Sequence, residues 1–244
     1  MKTILFAVGI GFVTPCTLQA QSSDVIRIKG GSGGEKAVSV PVRYRYDQFC
    51  AGKVIYRNGT MATARFNYNI LLGEMQFINA SGDTLALANE PVVRQVDLSE
   101  PTSAGAPRQT VFLYDPKKGY LEVLADHTTL KLVVKQGLKM ARNEKAGGYD
   151  QSSGTAATTT YQSYSSGNTS VSKLDWKGDL VVIKGRDYFI IDRNDRSYPL
   201  NKASLLKVFA KHRQQVLAYL ETESINFKQE DDLKKLLNYC SEFP

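Results

Sequence analysis

The chain has 244 residues, 42% hydrophobic and 10% aromatic, with 31 Lys and Arg against 24 Asp and Glu for a formal charge of +7. That is enough apolar material to bury a core, and after the first twenty residues no segment approaches the roughly 20 apolar residues of a membrane span. The basic residues are scattered rather than blocked and no recognition motif accompanies them, which excludes nucleic acid as a partner; a mildly basic surface of this kind tolerates anionic neighbours such as lipid headgroups or acidic glycans.

Residues 1–20 read as a cleavable secretory signal. Lys2 supplies the positive start, and Ile4 to Val13 is an uncharged apolar run too short to span a bilayer. Leu18-Gln19-Ala20 is a small-residue exit, so the mature chain begins near Gln21. Lys2 is the only charge removed, which takes +7 to +6. Cys16 raises the question of lipid anchoring, but Pro15 stands where a lipoprotein signal carries a small residue. Cys50 and Cys240 outlast cleavage. They either pair, closing a long loop for about 3–5 kcal/mol in the chain-entropy model, or stay as two buried thiols. With no neighbouring His they make a poor zinc site.

Residues 21–37 form a flexible lead-in. Its glycine cluster, Gly30-Gly31-Ser32-Gly33-Gly34, ends in Glu35-Lys36 and lacks the ending of a phosphate-cradling loop. Residues 38–200 read as a β-rich domain of short strands. Asn58-Gly59 is a hairpin signal in which both central positions take positive φ. Ala62, Ala64, Phe66, Tyr68 and Ile70 then alternate with Thr63, Arg65, Asn67 and Asn69, giving one apolar and one polar face. Met75 and Phe77 continue the pattern, Ser81-Gly82-Asp83 turns the chain, and Leu85 and Leu87 return. Further strands are expected at 92–98, 110–114, 120–124 and 130–135. Residues 147–172 are rich in Ser, Thr and Tyr with almost no aliphatic residue, and read as a mobile loop. Strands resume at Leu180–Ile183 and Tyr188–Ile191, with Gly185 between them.

Residues 201–244 form a helical tail. Asn201 caps the first helix, whose stripe is Leu205, Phe209, Val216 and Leu220. The second carries Leu233, Leu236, Leu237 and Cys240, with Glu230–Lys234 and Asp231–Lys235 as pairs four apart. The expected fold class is mainly β (α+β): an antiparallel β-meander, rolled or sandwiched, with a C-terminal pair of α-helices.

Chemistry is hard to find. His127 follows Asp126 in a hairpin turn, and His212 lies on or beside an apolar stripe as a packing residue. Hydrolase templates with a Gly-x-Ser-x-Gly or paired-His motif fail. Glu74, Asp83, Asp115 and Glu122 lie in or beside the meander, but a glycosidase needs two carboxylates converging across a cleft. Asp192, Asn194 and Asp195 lack the rest of a calcium loop and suit a turn. No catalytic, cofactor-binding or metal-ligating residue is assigned, and no cofactor is expected.

Three stretches carry a resemblance: Asn58-Gly59 through Phe66-Asn67-Tyr68-Asn69, Gly73-Glu74-Met75-Gln76-Phe77 and Gly82-Asp83-Thr84-Leu85; Gly147-Gly148-Tyr149 with the tract after it; and Leu205-Leu206-Lys207-Val208-Phe209 followed by Ile225-Asn226-Phe227 and Asp232-Leu233. Together they resemble uncharacterised exported β-rich proteins of Bacteroidetes-type bacteria. The resemblance implies export to the periplasm or cell surface of a Gram-negative bacterium, and a shared fold. It implies no activity, and no functional residue carries over. The leading expectation is a non-catalytic envelope protein that binds a protein, glycan or lipid partner or has a structural role. The alternatives are an exported hydrolase, possibly glycan-directed, and a carrier of a lipid or other hydrophobic ligand.

Overall fold

A computed structural model describes residues 25–28, 38–103, 105–144, 162–164 and 179–243. The signal, Cys16, most of the lead-in and most of the Ser/Thr/Tyr tract lie outside the described residues. The remainder is mainly β. Strands β2 (Cys50–Tyr56), β3 (Met61–Asn69), β4 (Glu74–Ile78) and β5 (Thr84–Ala86) form one antiparallel meander. The chain then returns to the free side of β2 with β6 (Val93–Glu100). A second meander continues through β7 (Arg108–Asp115), β8 (Gly119–His127) and β9 (Leu130–Glu144). Strand β11 (Asp179–Asp192) pairs along β9, and β1 (Val25–Ile28) pairs with β11, so the order is β1-β11-β9-β8-β7-β6-β2-β3-β4-β5. Short β10 (Gln162–Tyr164) and β12 (Ser197–Pro199) flank β9 and β11.

The sheet is rolled. Strand β3 stands five places from β9, which in a flat sheet is about 24 Å at roughly 4.8 Å per strand. Yet the Tyr68 hydroxyl on β3 donates to the Gln136 carbonyl on β9 at 3.1 Å. Only strong curvature brings them together. The concave face is packed with side chains: Phe66, Tyr68, Met75, Leu98, Phe112 and Tyr120 are all less than 2% exposed. Tyr68 lies 5.5 Å from Phe112 and 6.3 Å from Tyr120 between ring centroids.

Several local expectations are corrected. The lead-in contains a strand, β1, because Val25-Ile26-Arg27-Ile28 finds an open edge on β11. The chain after Val38 opens with a helical turn, α1 (Val40–Arg43), started by Pro41 rather than with a strand. At the first hairpin Gly59 alone has positive φ, +87°. Gly59 N–H bonds Tyr56 O, Tyr56 N–H bonds Thr60 O, and Asn58 Oδ1 accepts from Thr60 N. This is a longer loop with a glycine bulge, so Asn58 needs no left-handed backbone. Asn67 and Asn69 face no solvent: both are fully buried. Asn67 exchanges hydrogen bonds with the Tyr46 backbone (3.2 and 2.8 Å), so its amide stands in for ladder bonds where the 45–49 segment bulges away from β3. Within the Ser/Thr/Tyr tract, Gln162–Tyr164 pairs with Leu138–Met140. Gly185 is no turn: β11 runs unbroken from Asp179 to Asp192, with Gly185 opposite Gly137. Its role is close approach, since a Cβ there would lie 2.6 Å from Lys139 Cε.

The tail contains three helices rather than two. Asn201 caps α2 (Lys202–Val208) by accepting from Ser204 N at 2.9 Å. The chain tightens into a 3-10 turn at Ala210–His212 before α3 (Arg213–Thr222), then reaches α4 (Glu230–Ser241). Glu230–Lys234 forms at 2.6 Å. Asp231–Lys235 is not among the ion pairs of the described residues. The helices bury Leu205, Val216, Leu233, Leu236, Leu237 and Cys240 against Leu130, Leu132 and Ile190 of the sheet. A second core thus shares the sheet with the first, which holds Phe66, Tyr68, Met75, Leu138 and Val182. Cys50 belongs to the first core and Cys240 to the second, and both are free thiols. Burial raises both thiol pKa values, that of Cys240 to about 12.

The tightest backbone approach is at Gly52, where a Cβ would lie 2.4 Å from the Asp97 carbonyl oxygen and 2.8 Å from Leu98 Cδ2; at Gly137 a Cβ would meet nothing within 4 Å. Gly52→Ala is therefore expected to lose about 2–3 kcal/mol in urea unfolding by overpacking, while Gly137→Ala changes stability by less than about 1 kcal/mol.

Candidate functional site: a polar band between two cores

Alternate residues of β8, β9 and β11 share the sheet face on which both cores lie. On β9 these are Leu130, Leu132, Val134, Gln136 and Leu138, and on β11 Val182, Lys184, Arg186, Tyr188 and Ile190. Each series runs apolar, polar, apolar. Gln136 stands beside Arg186 and Leu138 beside Lys184, while Glu122 is the inward polar residue of β8. The polar positions form a band across three neighbouring strands, with one apolar core on either side.

Glu122 is its centre and is 5% exposed. Arg45, from the segment crossing the roll, grips it with two bonds, Nε–Oε2 at 3.0 Å and Nη2–Oε1 at 3.1 Å. Gln136 Nε2 donates to Oε2 as well. The Arg45 guanidinium also lies over the Tyr46 ring, 5.0 Å from its centroid. Burial by itself would lower the Arg45 pKa, but the hydrogen bonds and charge of Glu122 outweigh it and raise it. Burial likewise pushes the Tyr46 phenol up to about 12. At the helical side of the band, Arg186 Nη1 meets Glu230 of α4 at 3.2 Å, and Glu230 also holds Lys234. Lys184 Nζ donates to the Pro41 carbonyl at 3.1 Å and has no carboxylate partner among the described residues.

Arg45, Gln136, Lys184, Arg186 and the backbones of Gly137 and Gly185 line a pocket of about 290 Å³. Of the three cations in this lining, Arg45 pairs with Glu122 and Arg186 with Glu230, which leaves the Lys184 charge without a carboxylate among the described residues. Each guanidinium has five donors and spends only some of them on its partner. The pocket is suited to an oxyanion.

The carboxylates singled out in the sequence do not converge on one cleft. Glu122 is held as described. Asp115 sits in the β7–β8 turn; burial would raise its pKa, but hydrogen bonds from Ser197 and the Lys117 N–H, with the Lys118 charge, hold it low. Asp83 closes the β4–β5 turn with Asn79. Glu74 approaches Glu90, which the sequence reading passed over. Burial and the Glu74 charge lift the Glu90 carboxyl to about 6 against the lowering effect of a Tyr114 hydrogen bond. The pocket beside it is lined by Tyr56, Arg57, Asn58, Thr60, Pro91 and Val92, and includes neither carboxylate. His127 ends β8. His212 lies at the α2–α3 break, stacked on Phe243 at 4.5 Å. Asp192 is used within its turn, Oδ1 accepting from Asn194 N and Arg196 N.

Lys184 and Arg186 were missed because Gly185 was read as a turn; the signal was the period-two phase running from Val182 through Ile190. No family model, curated protein or solved structure matches this chain.

Removing one member of a buried ion pair strands the other. Glu122→Leu is expected to cost about 2–4 kcal/mol in denaturant unfolding, and adding Arg45→Met to recover most of that loss. Equal, additive losses would show that the pair does not couple.

Proposed function

We propose that this chain is a non-catalytic exported protein of the bacterial envelope, and that it binds an anionic envelope component through the pocket in the polar band. The single observation that carries the reading is Lys184, exposed at the pocket and without a carboxylate partner among the described residues. It occupies a position that the alternation of β11 would give to an apolar residue, and it adds an uncompensated charge beside two arginines. Like charges gathered around one pocket repel one another and favour an anion between them. The pocket's 290 Å³ is at the small end for ligand sites, which suits one charged unit, a uronate or a phosphorylated sugar, rather than a long chain. Export is supported by the residue pattern of the first twenty residues and by the resemblance to exported β-rich proteins. The tightly filled concave face weighs against a carrier of hydrophobic cargo. The hydrogen-bonded state of Glu122 weighs against its use as a glycosidase acid.

The test is isothermal titration at low salt with glucuronate, glucose 6-phosphate and, as a control, glucose, on protein recovered from the envelope fraction with an intact mass starting near Gln21. Saturable binding of the acidic sugars alone, weakened at least about tenfold by Lys184→Glu, is the expected result. Equal heats for glucose, or binding indifferent to Lys184→Glu, would remove the anion reading. Turnover of a glycan substrate would remove the non-catalytic one.

A further inference from the structure

A second pocket, of about 380 Å³, lies where the β8–β9 turn, the β11–β12 turn and the break between α2 and α3 meet. It shares no residue with the pocket of the polar band. Its cations are Arg193, Lys207 and Lys211, all exposed and none with a carboxylate partner among the described residues. The one carboxylate lining it, Asp192, is already committed: its Oδ1 accepts two backbone N–H groups of its own turn, at 2.9 and 3.0 Å, and its Oδ2 accepts from the Tyr198 hydroxyl at 3.4 Å. Three like charges around one concavity repel one another and raise the local concentration of anions.

The lining also carries the rings of Tyr198, Phe209, His212 and Phe243. The His212 ring lies flat on Phe243, with centroids 4.5 Å apart and planes 6° apart, and is fixed in place by a 3.1 Å contact between Nδ1 and Gln215 Oε1. Phe243 in turn meets Phe209 edge-on at 6.1 Å. The pocket also includes Thr129, whose hydroxyl is sealed from solvent without a hydrogen-bond partner. A hydrated inorganic ion would use only the cations and leave the aromatic wall unmet. A ligand with a charged head and a flat body would use both.

We infer that this pocket is a separate binding site for a small amphipathic oxyanion, a phosphate or carboxylate carried on an aromatic body. The head lies among Arg193, Lys207 and Lys211, and the body lies against His212 and Phe243. The site is independent of the polar band, so either can fail without the other.

Isothermal titration with phenyl phosphate, inorganic phosphate and phenol tests it. Phenyl phosphate is expected to bind saturably and at least about tenfold more tightly than either fragment. Lys207→Glu with Lys211→Glu, both on exposed positions, should weaken it at least about tenfold, whereas Lys184→Glu in the polar band should leave it within about twofold. Thermal unfolding of the charge-reversed protein confirms that it remains folded. Absence of saturation below about 10 mM, equal affinity for inorganic phosphate, or affinity unchanged by the charge reversal would each overturn the assignment.

Discussion

Glu122 stands at a position that strand alternation turns into the roll, and a carboxylate in that environment costs several kcal/mol unless donors surround it. Arg45 supplies two of them and Gln136 a third. The consequence is architectural. Arg45 belongs to the segment between α1 and β2, and its grip on β8 fastens that segment across the roll at |i−j| of 77 residues. The same segment donates Arg45 N–H to Tyr68 O and accepts at Arg43 O from Ile70 N–H. The first core therefore closes over a charged pair rather than over more apolar surface. The second core begins on the far side of that pair, where the helices cover Leu130, Leu132 and Ile190.

Much of this architecture was legible. The strand that the run from Ala62 predicts, the Ser81-Gly82-Asp83 turn and the Asn201 cap each rest on local chemistry and appear where expected, although the strand does not alternate between a buried and an exposed face. The stripe Leu233, Leu236, Leu237 and Cys240 is buried as its spacing requires. What could not be read was decided by distant parts of the chain. Whether Gly185 turns the strand or lets it pass close to a neighbour depends on Lys139, 46 positions earlier, lying over it. Asn67 carries a polar signature, yet is buried because a segment 21 residues upstream needs its hydrogen bonds; Asn69 is buried with its Oδ1 accepting from Leu72 N–H. Strand order follows the same rule: nothing local in β6 says that it will pass β5, β4 and β3 to pair with β2.

The candidate sites were hidden for a related reason. Lys184 and Arg186 look like ordinary surface residues until the strand is known to be continuous. Only then does their phase place them on the face of Val182 and Ile190, where they line the pocket. Arg193 comes from a sheet turn and Lys207 and Lys211 from the α2–α3 break, and they share a pocket only because that break folds over two sheet turns. Both pockets lie at boundaries between packed units, where backbone elements meet imperfectly and polar side chains fill what apolar ones do not. Among the described residues, no pair of the carboxylates singled out in the sequence lines either pocket.

Fold and proposed function meet at Lys184, whose charge at the pocket serves a ligand and not stability in the reading proposed above. Equilibrium unfolding of Lys184→Met without any added anion tests it most directly. Methionine removes one like charge from beside Arg45 and Arg186, so stability should be unchanged or rise by up to about 1 kcal/mol. A loss of more than about 1 kcal/mol would show that Lys184 holds the roll together through its contact with Pro41, and the polar band would then be a structural seam rather than a binding site.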